Sequence, residues 1–395
     1  MPYSLYFHLP FCTHRCAYCD FNTYAGQAQS IPAYVQALCA EIELVGSSAA
    51  GRLPVGTIFF GGGTPSLLTP AQFDAIFEAI HRAFEVSPAA EISLEANPGT
   101  VSPDYLRDLR RLGFNRLSYG VQSANPAELR LLERIHTYPE VVDAVRWSRR
   151  AGFENLSLDL IYGLPEQSLA SWQKTVQLAL GLHPEHLSAY ALTLEDGTPF
   201  GRWAAKGLLP MPDPDLAAEM YEWTMAFLAA EGYQQYEISN WARGNSEFQC
   251  RHNLQYWRNL DYLGFGAGAH GYAGGVRYSN VLRIKTYLER LSPPLTSGNW
   301  PLSPAVVHAH QNSLRENLQE AMLTGLRLTE EGVAAGVFQQ RFGVELTTAF
   351  GAEIAELVKF GLLAWAEPLP GERILRLTER GRLLGNQVFL RFVGD

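Results

Sequence analysis

The amino-acid sequence predicts an α/β protein, a partial (β/α)6 barrel followed by a small helical, winged-helix-like domain at the C-terminus. Over roughly the first 230 residues, six short apolar runs alternate with segments of helical periodicity, separated by Gly and Pro. The last part of the chain carries mainly helical patterns. Alternation of strand and helix is typical of βαβ units that form a parallel sheet covered by helices. Six units are fewer than the eight of a closed barrel, so an open, doubly wound sheet is the alternative.

Each predicted strand is a short run rich in apolar, β-branched and aromatic residues. The six runs are Ser4–Leu9, Thr57–Gly62, Glu91–Asn97, Arg116–Ser123, Asn155–Gly163 and His186–Thr193. Helical periodicity between them predicts the helices Ile31–Val45, Pro70–Phe84, Pro103–Leu112, Pro126–Ile135, Pro139–Ala151 and Leu169–Leu180. Several of these begin with a capping residue followed by proline, as at Thr69 and Ser102, which favours a helix start at that point.

The remainder of the chain has a different character. A long helical pattern covers Asp213–Glu231, whereas Tyr236–Tyr278 is rich in Gly, Asn and aromatic residues and predicts irregular structure. Residues 294–304 are rich in Pro, Ser and Gly and predict a linker. The C-terminal patterns are helices at Asn312–Arg327, Thr329–Phe342 and Thr347–Leu363, then a strand leading into a helix within Ile374–Phe389. We therefore expect three regions, 1–235, 236–300 and 301–395.

Composition and charge exclude several classes of protein. Of 395 residues, 47% are hydrophobic and 18% are charged, which excludes dominant disorder. Forty acidic against 31 basic residues give a net charge of −9, which argues against a nucleic-acid-binding protein. Residues 303–395 hold nine basic and eleven acidic residues, a balance of −2, so the winged-helix-like domain is not expected to bind DNA. Without a signal-peptide pattern or a run of roughly 18 apolar residues, we expect a cytoplasmic protein with no direct membrane insertion.

Three of the five cysteines lie within eight residues, as Cys12-x3-Cys16-x2-Cys19 directly after the first predicted strand. Five cysteines in so long a chain do not make a disulfide scaffold. Active sites of α/β barrels are built at this end of the strands. Three thiolates without a fourth fit an iron–sulfur cluster that leaves one iron open to an external ligand. The alternatives are a zinc site completed by His8 or His14, and inert buried thiols.

The CxxxCxxC motif, with an aromatic residue (Tyr18) before its third cysteine, resembles the hallmark of the radical S-adenosylmethionine superfamily. The resemblance implies that the three thiolates hold a [4Fe–4S] cluster. The amino and carboxylate groups of S-adenosylmethionine would chelate the fourth iron. One electron from the reduced cluster would cleave the S–C5′ bond and yield a 5′-deoxyadenosyl radical. In such proteins the cofactor carries the chemistry, while the protein orients it and excludes water.

Polar residues at the ends of later strands match the S-adenosylmethionine contacts of one branch of that superfamily. The segment GGGTPS, residues 61–66, follows the second strand and matches the glycine-rich segment that contacts the methionyl amino group. Glu95, Gln122 and Asp159 lie on the third, fourth and fifth strands and converge on one mouth. A carboxylate suits an amino group or ribose hydroxyls, and the guanidinium of Arg134 suits the methionyl carboxylate.

Longer stretches resemble the anaerobic coproporphyrinogen oxidase (HemN) branch and its relatives, the HemW heme chaperones. They include YFHLPFCTHRCAYCDF, FFGGGTPSLL, DLIYGLPEQ and HNLQYWRNLDYLGFGAGAH, and they extend from Tyr6 to His270. The C-terminal module also fits. By this resemblance, the cluster and nucleotide site is formed by Tyr6, Cys12, Cys16, Tyr18, Cys19, Gly62, Gly63, Thr64, Glu95, Gln122, Arg134 and Asp159.

Two functions are compatible with this branch. The oxidase converts two propionates of coproporphyrinogen III to vinyls, and its motif extends to CxxxCxxCxC. Phe21 stands where that fourth cysteine would be. The oxidase also has an N-terminal extension, whereas eleven residues precede Cys12 here. Both departures favour a heme carrier over a true oxidase. A radical enzyme acting on another tetrapyrrole is a third alternative.

Residues 252–257, HNLQYW, match an HNxxYW motif that resembles HemW rather than HemN. A histidine can be an axial ligand of heme iron, and the two aromatic residues of the motif could stack on a porphyrin face. We therefore predict His252 as a heme ligand. Cys250 and His270 are further candidates, and the alternative for His252 is a structural histidine that holds a backbone carbonyl.

The sequence thus predicts a protein of the radical S-adenosylmethionine type that binds a [4Fe–4S] cluster, S-adenosylmethionine and heme. It would transfer heme to an acceptor protein, such as a membrane-bound respiratory subunit or an iron-storage protein. An electron donor for the cluster is the second expected partner.

Overall fold

The structure, a computed structural model, describes residues 2–244, 246–292 and 299–393. Residues 294–298 of the predicted linker lie outside this part of the chain. The strands are β1 (Tyr3–Leu9), β2 (Phe11–Cys12), β3 (Tyr24–Ala25), β4 (Pro54–Gly62), β5 (Glu85–Ala96), β6 (Arg116–Gln122), β7 (Leu156–Tyr162), β8 (His186–Ala191), β9 (Tyr233–Glu237), β10 (Asn240–Arg243), β11 (Tyr262–Phe265), β12 (His270–Ala273), β13 (Val276–Asn280), β14 (Val306–Gln311), β15 (Val333–Ala334), β16 (Leu363–Ala366) and β17 (Ile374–Leu377).

The α-helices are α1 (Ile31–Ser48), α2 (Pro70–Ala83), α3 (Pro103–Arg111), α4 (Pro126–Leu131), α5 (Tyr138–Arg150), α6 (Leu169–Leu180), α7 (Pro199–Ala205), α8 (Pro214–Ala230), α9 (Arg251–Trp257), α10 (Ile284–Arg290), α11 (Leu314–Gly325), α12 (Ala335–Phe342), α13 (Leu346–Lys359), α14 (Glu379–Leu383) and α15 (Gly385–Leu390). No helix of the described residues is long and apolar enough to cross a bilayer.

Contacts divide the described chain into two units. The first unit comprises residues 1–227 and 261–310, and the second comprises 228–260 and 311–395. The chain therefore leaves the first unit and returns to it. This division differs from the boundaries at 235 and 300 that the sequence suggested. A linear reading of composition cannot detect that β11–β13 belong with β1, about 250 residues earlier in the chain.

The first unit contains the six predicted strands as β1 and β4–β8, paired in parallel and in chain order. β11 pairs in parallel with the free edge of β1, and β12 and β13 follow it in antiparallel pairs. β1 thus lies between β4 and β11, and no pairing joins β1 to β8 among the described strands. The expected partial barrel is therefore present as an open sheet, in which the carboxyl ends of six parallel strands share one edge.

The core of the first unit includes a stack of aromatic rings centred on β1. The Phe7 ring stacks on Phe60 of β4 at a centroid distance of 4.9 Å and on Phe265 of β11 at 5.3 Å, and all three side chains are fully buried. Such pairs add to the free energy gained by burying apolar area. Consequently the strand that leads to the cysteine motif is fixed on both sides.

Several helices begin where the sequence signals predicted. Thr69 accepts a hydrogen bond from the Gln72 amide, and the Gln72 side chain accepts one from the Thr69 amide, a capping box that starts α2. At the start of α3 the Ser102 side chain accepts a hydrogen bond from the amide of Tyr105, without a reciprocal bond. These caps satisfy amides that the first turn of a helix leaves unpaired.

Two sequence expectations were wrong. The stretch 236–278 is not irregular, because it contains β10–β12, α9 and parts of β9 and β13. These elements are only four to seven residues long and are separated by glycine turns, so no periodicity builds up. In the C-terminal region α12 begins at Ala335 rather than near Thr329, because Val333 and Ala334 pair with β17 instead.

The second unit contains the helical C-terminal region. Its order α11–β15–α12–α13–β16–β17, with a three-stranded antiparallel sheet, has the pattern of a winged-helix module. A core that includes Met322, Phe338, Ile354 and Leu375 holds these elements together. The unit also contains the β9–β10 hairpin and α9, the helix that carries residues 252–257.

Candidate functional site

The carboxyl ends of the parallel strands open into a cleft of about 470 Å³, within the range of ligand pockets. It is lined by the loop after β2 and by the ends of β4–β8. Of the residues predicted from the sequence, the cleft brings together Cys12, Cys16, Tyr18, Cys19, Gly62, Gly63, Thr64, Glu95, Gln122, Arg134 and Asp159. They come from positions up to 147 residues apart, as expected where parallel strands end at one edge.

All three cysteines of the motif are unpaired, partly buried thiols that line the cleft. Burial raises the pKa of Cys12 and Cys19. Thr64 Oγ1 donates a hydrogen bond to Cys12 Sγ at 3.7 Å, so the glycine-rich segment contacts the motif directly. The amide of Cys19 donates to the carbonyl of Cys16 at 3.1 Å, which turns the loop between them. The three sulfur atoms thereby face one cavity from one short loop.

The zinc alternative is not supported by the two candidate histidines. Nε2 of His14 lies 3.1 Å from a carboxylate oxygen of Glu133, and both side chains are exposed. His8 is buried, and its two ring nitrogens contact Tyr6 Oη and the carbonyl of Asn22. Within the described residues, no three His, Cys, Asp or Glu side chains are grouped to hold a single metal ion. A donor set of three thiols around an open cavity does fit a cluster with one iron left open.

Arg134 is a partly buried cation beside the second cysteine. Its Nη1 lies 3.6 Å from Cys16 Sγ, and Nη2 donates to the carbonyl of Gly120 at 2.7 Å. Its Nε is buried and has no hydrogen-bond partner among the described residues. A guanidinium with an unused donor in a cleft is suited to bind a carboxylate with paired hydrogen bonds.

Two partly buried carboxyl groups, those of Glu95 and Asp159, line the cleft. Glu95 accepts a hydrogen bond from the amide of Gly62 at 3.1 Å. Burial, and to a smaller extent the charge of the nearby Asp159, raises the pKa of Glu95 to about 7. Burial also raises the pKa of Asp159, whose oxygens accept hydrogen bonds from Ser118 at 2.9 and 3.1 Å and from Ser157 at 3.2 Å. These carboxyl groups can accept hydrogen bonds from ligand ammonium or hydroxyl groups.

Two non-glycine residues in the cleft have left-handed backbone conformations. Gln122 has a φ of 67° at the end of β6, where the register with β7 shifts, and Glu133 has a φ of 54°. This region costs free energy for residues with a Cβ and is concentrated at functional sites. The Gln122 turn redirects the chain at the mouth, and the Glu133 carbonyl lies 4.0 Å from Cys16 Sγ.

The two predicted tyrosines differ in position. Tyr18 lines the cleft beside Arg134 and packs against Phe200, with ring centroids 6.4 Å apart. Tyr6 is outside the lining of the cleft, and its hydroxyl contacts Nδ1 of His8 at 2.9 Å. Burial raises the pKa of both phenols.

The sequence analysis missed Ser118 and Ser157, which contact Asp159. The signal was available, because side chains at alternate positions of a strand share a face. Ser118 is therefore on the face of Gly120 and Gln122, and Ser157 is on the face of Asp159.

The heme-ligand candidates lie outside the cleft. His252 is on α9 in the second unit and is 1% exposed, and its Nε2 lies 2.9 Å from Tyr256 Oη. Cys250 is fully buried, and its amide donates to Tyr236 Oη at 3.2 Å. His270 is an exposed residue at the start of β12 in the first unit.

Trp257, the second aromatic residue of the motif, is also in contact with a protein side chain. The guanidinium of Arg327 lies over the Trp257 ring, with Cζ 4.4 Å from the ring centroid. The same Arg327 approaches the buried carboxylate of Glu237 at 3.6 Å. One face of Trp257 is therefore covered by a cation.

Comparisons with known proteins agree with this geometry. Residues 6–179 match the Radical SAM superfamily, and residues 312–384 match the HemN C-terminal domain. The chain is 39% identical over 394 residues to "Heme chaperone HemW" of Bacillus subtilis (strain 168), covering 99% of each chain. It is 42% identical over 272 residues to "Heme chaperone HemW" of Escherichia coli (strain K12), covering 68% of this chain and 70% of the relative.

Among solved structures, coproporphyrinogen III oxidase (HemN) from Escherichia coli matches with a TM-score of 0.82 and 26% identity. The match covers 99% of this chain and 90% of that chain. The fold expectation is therefore confirmed, and the full-length relatives confirm the resemblance on which the sequence analysis relied. The chain belongs to the radical S-adenosylmethionine superfamily and, within it, to the HemW family.

Proposed function

We propose that this chain is a cytoplasmic heme chaperone that binds a [4Fe–4S] cluster, S-adenosylmethionine and heme, and that transfers heme to an acceptor protein. One observation carries the proposal: three unpaired thiols converge on one cleft in a chain whose full-length relatives are named heme chaperones. An electron donor that reduces the cluster is the second partner in this proposal.

In this proposal Cys12, Cys16 and Cys19 provide three thiolates to the cluster. When bound, the cluster supplies an electron and one open iron position for S-adenosylmethionine. The residues of the chain have the tasks of holding the nucleotide and excluding water. Tyr18 and Arg134 flank the Cys16 side of the cavity and restrict access to it.

The nucleotide site follows from the polar groups around the cleft. Arg134 binds the methionyl carboxylate, because it is a partly buried cation whose buried Nε is an unused donor. The backbone of Gly62–Thr64 and the carboxylate of Glu95 face the amino group. Asp159 and Gln122 serve the ribose hydroxyls. Tyr6 supports the site indirectly through His8.

Heme in this proposal is ligated by His252. Because His252 is buried and its Nε2 contacts Tyr256, ligation requires that this contact breaks and the imidazole becomes accessible. The heme-binding form of α9 therefore differs from the form described here. With Arg327 over one face, Trp257 has at most its other face available to a porphyrin.

The second candidate function is an oxygen-independent coproporphyrinogen III oxidase, which the full-length similarity to the HemN structure favours. Against it stands Phe21, which is 63% exposed at the rim of the cleft and replaces the fourth cysteine of the oxidase motif. An anaerobic turnover assay with S-adenosylmethionine, a strong reductant and coproporphyrinogen III separates the two. We expect no vinyl product, and conversion over many cycles would overturn the chaperone proposal.

The cluster is tested independently by anaerobic reconstitution. We expect about four irons per chain for one [4Fe–4S] cluster and visible absorption that is lost when Cys12, Cys16 or Cys19 is replaced by Ala. Cys39→Ala is the matched control, because its thiol is outside the cleft and donates to the carbonyl of Ala75 at 3.5 Å. Zinc in place of iron, or iron well below four per chain, would overturn the cluster assignment.

Heme transfer is tested with the same protein. We expect heme binding to show a Soret band that changes in His252→Ala, with loss of transfer to an apo-acceptor. Unchanged heme affinity and transfer in His252→Ala would exclude this ligand, and Cys250→Ala and His270→Ala would then identify which alternative applies.

A further inference from the structure

The loop that carries the three cysteines is held from its far side by Asn22, three residues after Cys19. Asn22 Nδ2 donates hydrogen bonds to the carbonyls of Ala267 and Leu282, each at 3.0 Å. Its own backbone carbonyl accepts a hydrogen bond from His8 Nε2 at 2.9 Å. One residue thus joins the end of the cysteine loop to β1 and to two points about 250 residues later.

The histidine in this arrangement is neutral and oriented. His8 is buried, and burial lowers its pKa. Since Nε2 faces a carbonyl, it carries the proton, and Nδ1 accepts a hydrogen bond from Tyr6 Oη at 2.9 Å. Tyr6 therefore selects the tautomer that can bind the Asn22 carbonyl.

Glycines allow the backbones to approach Asn22 and His8 this closely. A Cβ on Gly268 would lie 2.4 Å from Asn22 Nδ2, and a Cβ on Gly266 would lie 2.4 Å from the carbonyl oxygen of His8. A Cβ on Gly62 would lie 2.6 Å from the His8 ring. The segment GAGAH, residues 266–270, and the GGGTPS segment are thus both shaped around this contact.

The segment around Ala267, which accepts a hydrogen bond from Asn22, is itself held in place by other hydrogen bonds. The amide of Ala267 donates to Tyr34 Oη at 2.7 Å, and that hydroxyl donates to the carbonyl of His8 at 2.9 Å. The amide of Gly266 donates to the buried carboxylate of Glu41 at 2.9 Å. Asn22 is therefore bonded to a part of the chain whose backbone has little freedom.

We propose that Asn22 is a positioning residue for the cluster: it sets the placement of Cys19 and retains the cluster by fixing the cysteine loop to residues 267 and 282. The inference rests on the proposed cluster and goes beyond it, because Asn22 is not itself a lining residue of the cleft, although Phe21 and Thr23 on either side of it are. A residue that acts only on folding would lower the stability of the cluster-free protein instead.

The test compares wild-type protein with Asn22→Ala and Asn22→Asp, the latter a near-isosteric change that removes the two donated hydrogen bonds. The full chain is reconstituted anaerobically, and cluster loss is followed by visible absorption in the presence of an iron chelator. We expect both variants to lose the cluster at least about fivefold faster, from two lost hydrogen bonds. The electron paramagnetic resonance spectrum of the reduced cluster should also shift, while the melting temperature of the cluster-free protein stays at the wild-type value.

Gly268→Ala tests the same contact from the opposite side, since the added methyl group displaces the Asn22 amide. Gly152→Ala is the matched control, because Gly152 has a φ of 90°, close to the 85° of Gly268, and a Cβ there meets no described atom within 4 Å. Both variants carry the cost of a side chain on a left-handed backbone. The effect of the Asn22 contact is the difference between them, and we expect faster cluster loss in Gly268→Ala than in Gly152→Ala. Wild-type cluster lifetime and spectrum in the Asn22 variants would overturn the proposal, as would faster loss that merely parallels a lower melting temperature of the cluster-free protein.

These outcomes are separable from failure of the proposed function. If wild-type protein binds no cluster, the cluster assignment itself fails. If it holds about four irons per chain, the variants test the role of Asn22 alone.

Discussion

Nη1 of Arg134 lies 3.6 Å from Sγ of Cys16, while the Nε of the same guanidinium is buried without a hydrogen-bond partner in the part of the chain that the structure describes. One side chain thus joins the thiol region of the cleft to the region where a nucleotide would bind. A buried cation with an unused donor is costly to keep unless a ligand completes it.

Arg134→Lys should therefore weaken S-adenosylmethionine binding without loss of the cluster. A hydrogen bond to a charged group contributes about 1.5–3 kcal/mol, so we expect affinity to fall about 10- to 100-fold. Equilibrium binding to anaerobically reconstituted protein measures the effect. Arg150→Lys on exposed α5 surface is the control, and equal affinity in both variants would exclude Arg134 as the carboxylate ligand.

Stability of the ligand-free protein should depend on pH through Glu95. Burial raises its pKa from 4.5 to about 7, so between these values the folded state binds a proton that the unfolded state has released. The contribution of Glu95 to the free energy of unfolding is therefore most favourable below about pH 4.5, and it is lost as the pH rises toward 7. At about 1.4 kcal/mol per pKa unit, the loss is about 3 kcal/mol.

Glu95→Gln isolates this effect, because the amide cannot titrate. The difference in free energy of unfolding between Glu95→Gln and wild type, measured in urea at several pH values, should change by that amount between pH 4.5 and 7. A difference that does not vary with pH would show that Glu95 is already ionised in the folded protein at acidic pH.

Tyr256→Phe should favour heme ligation by His252. The substitution removes the hydroxyl that contacts Nε2 at 2.9 Å, and a typical hydrogen bond contributes about 1 kcal/mol. We expect heme affinity to rise about fivefold in a titration followed at the Soret band. The gain should vanish in the double variant Tyr256→Phe/His252→Ala, whereas a gain that persists there would mean that His252 is not the ligand.

Glu41 should be a major determinant of the stability of the first unit. It is fully buried on α1, and its carboxylate accepts hydrogen bonds from the Gly266 amide, Asn280 Nδ2, Tyr287 Oη and Ser303 Oγ at 2.6–2.9 Å. Glu41→Ala leaves several buried donors unpaired, so we expect a loss of about 3 kcal/mol or more in urea unfolding. Glu43→Ala, on the exposed face of the same helix, should change stability by less than about 0.5 kcal/mol.

The sequence predicted the parallel strands well because each is a continuous apolar run bounded by glycine or proline. β6 and β7 were predicted to within a residue at each end. β5 was predicted to start at Glu91, but it starts at Glu85. The prediction missed its first half because that half contains Pro88 and small residues and carries no apolar pattern. A sequence pattern therefore predicts a strand only where buried residues recur at a regular interval along the chain.

The sequence could predict much of the candidate site because the carboxyl ends of parallel strands meet at one edge of the sheet. That rule alone, applied to the order of residues along the chain, groups Cys12, Glu95, Gln122 and Asp159 at one mouth. It could not reveal that His252 is buried against Tyr256, since burial depends on packing of distant segments. Nor could it reveal the bonds from Asn22 to residues 245 and 260 positions later.

The hydrogen bonds from Asn22 to the carbonyls of Ala267 and Leu282 have a consequence for biosynthesis. β1 acquires its second neighbour only when β11 pairs with it, and the cysteine loop acquires its anchor only when residues 267 and 282 are present. A nascent chain that has emerged from the ribosome as far as β8 thus already displays all three thiols on an incompletely held loop. Assembly of the proposed iron–sulfur cluster would therefore belong to a late stage of synthesis, after most of the chain has been translated and residues 267 and 282 have docked.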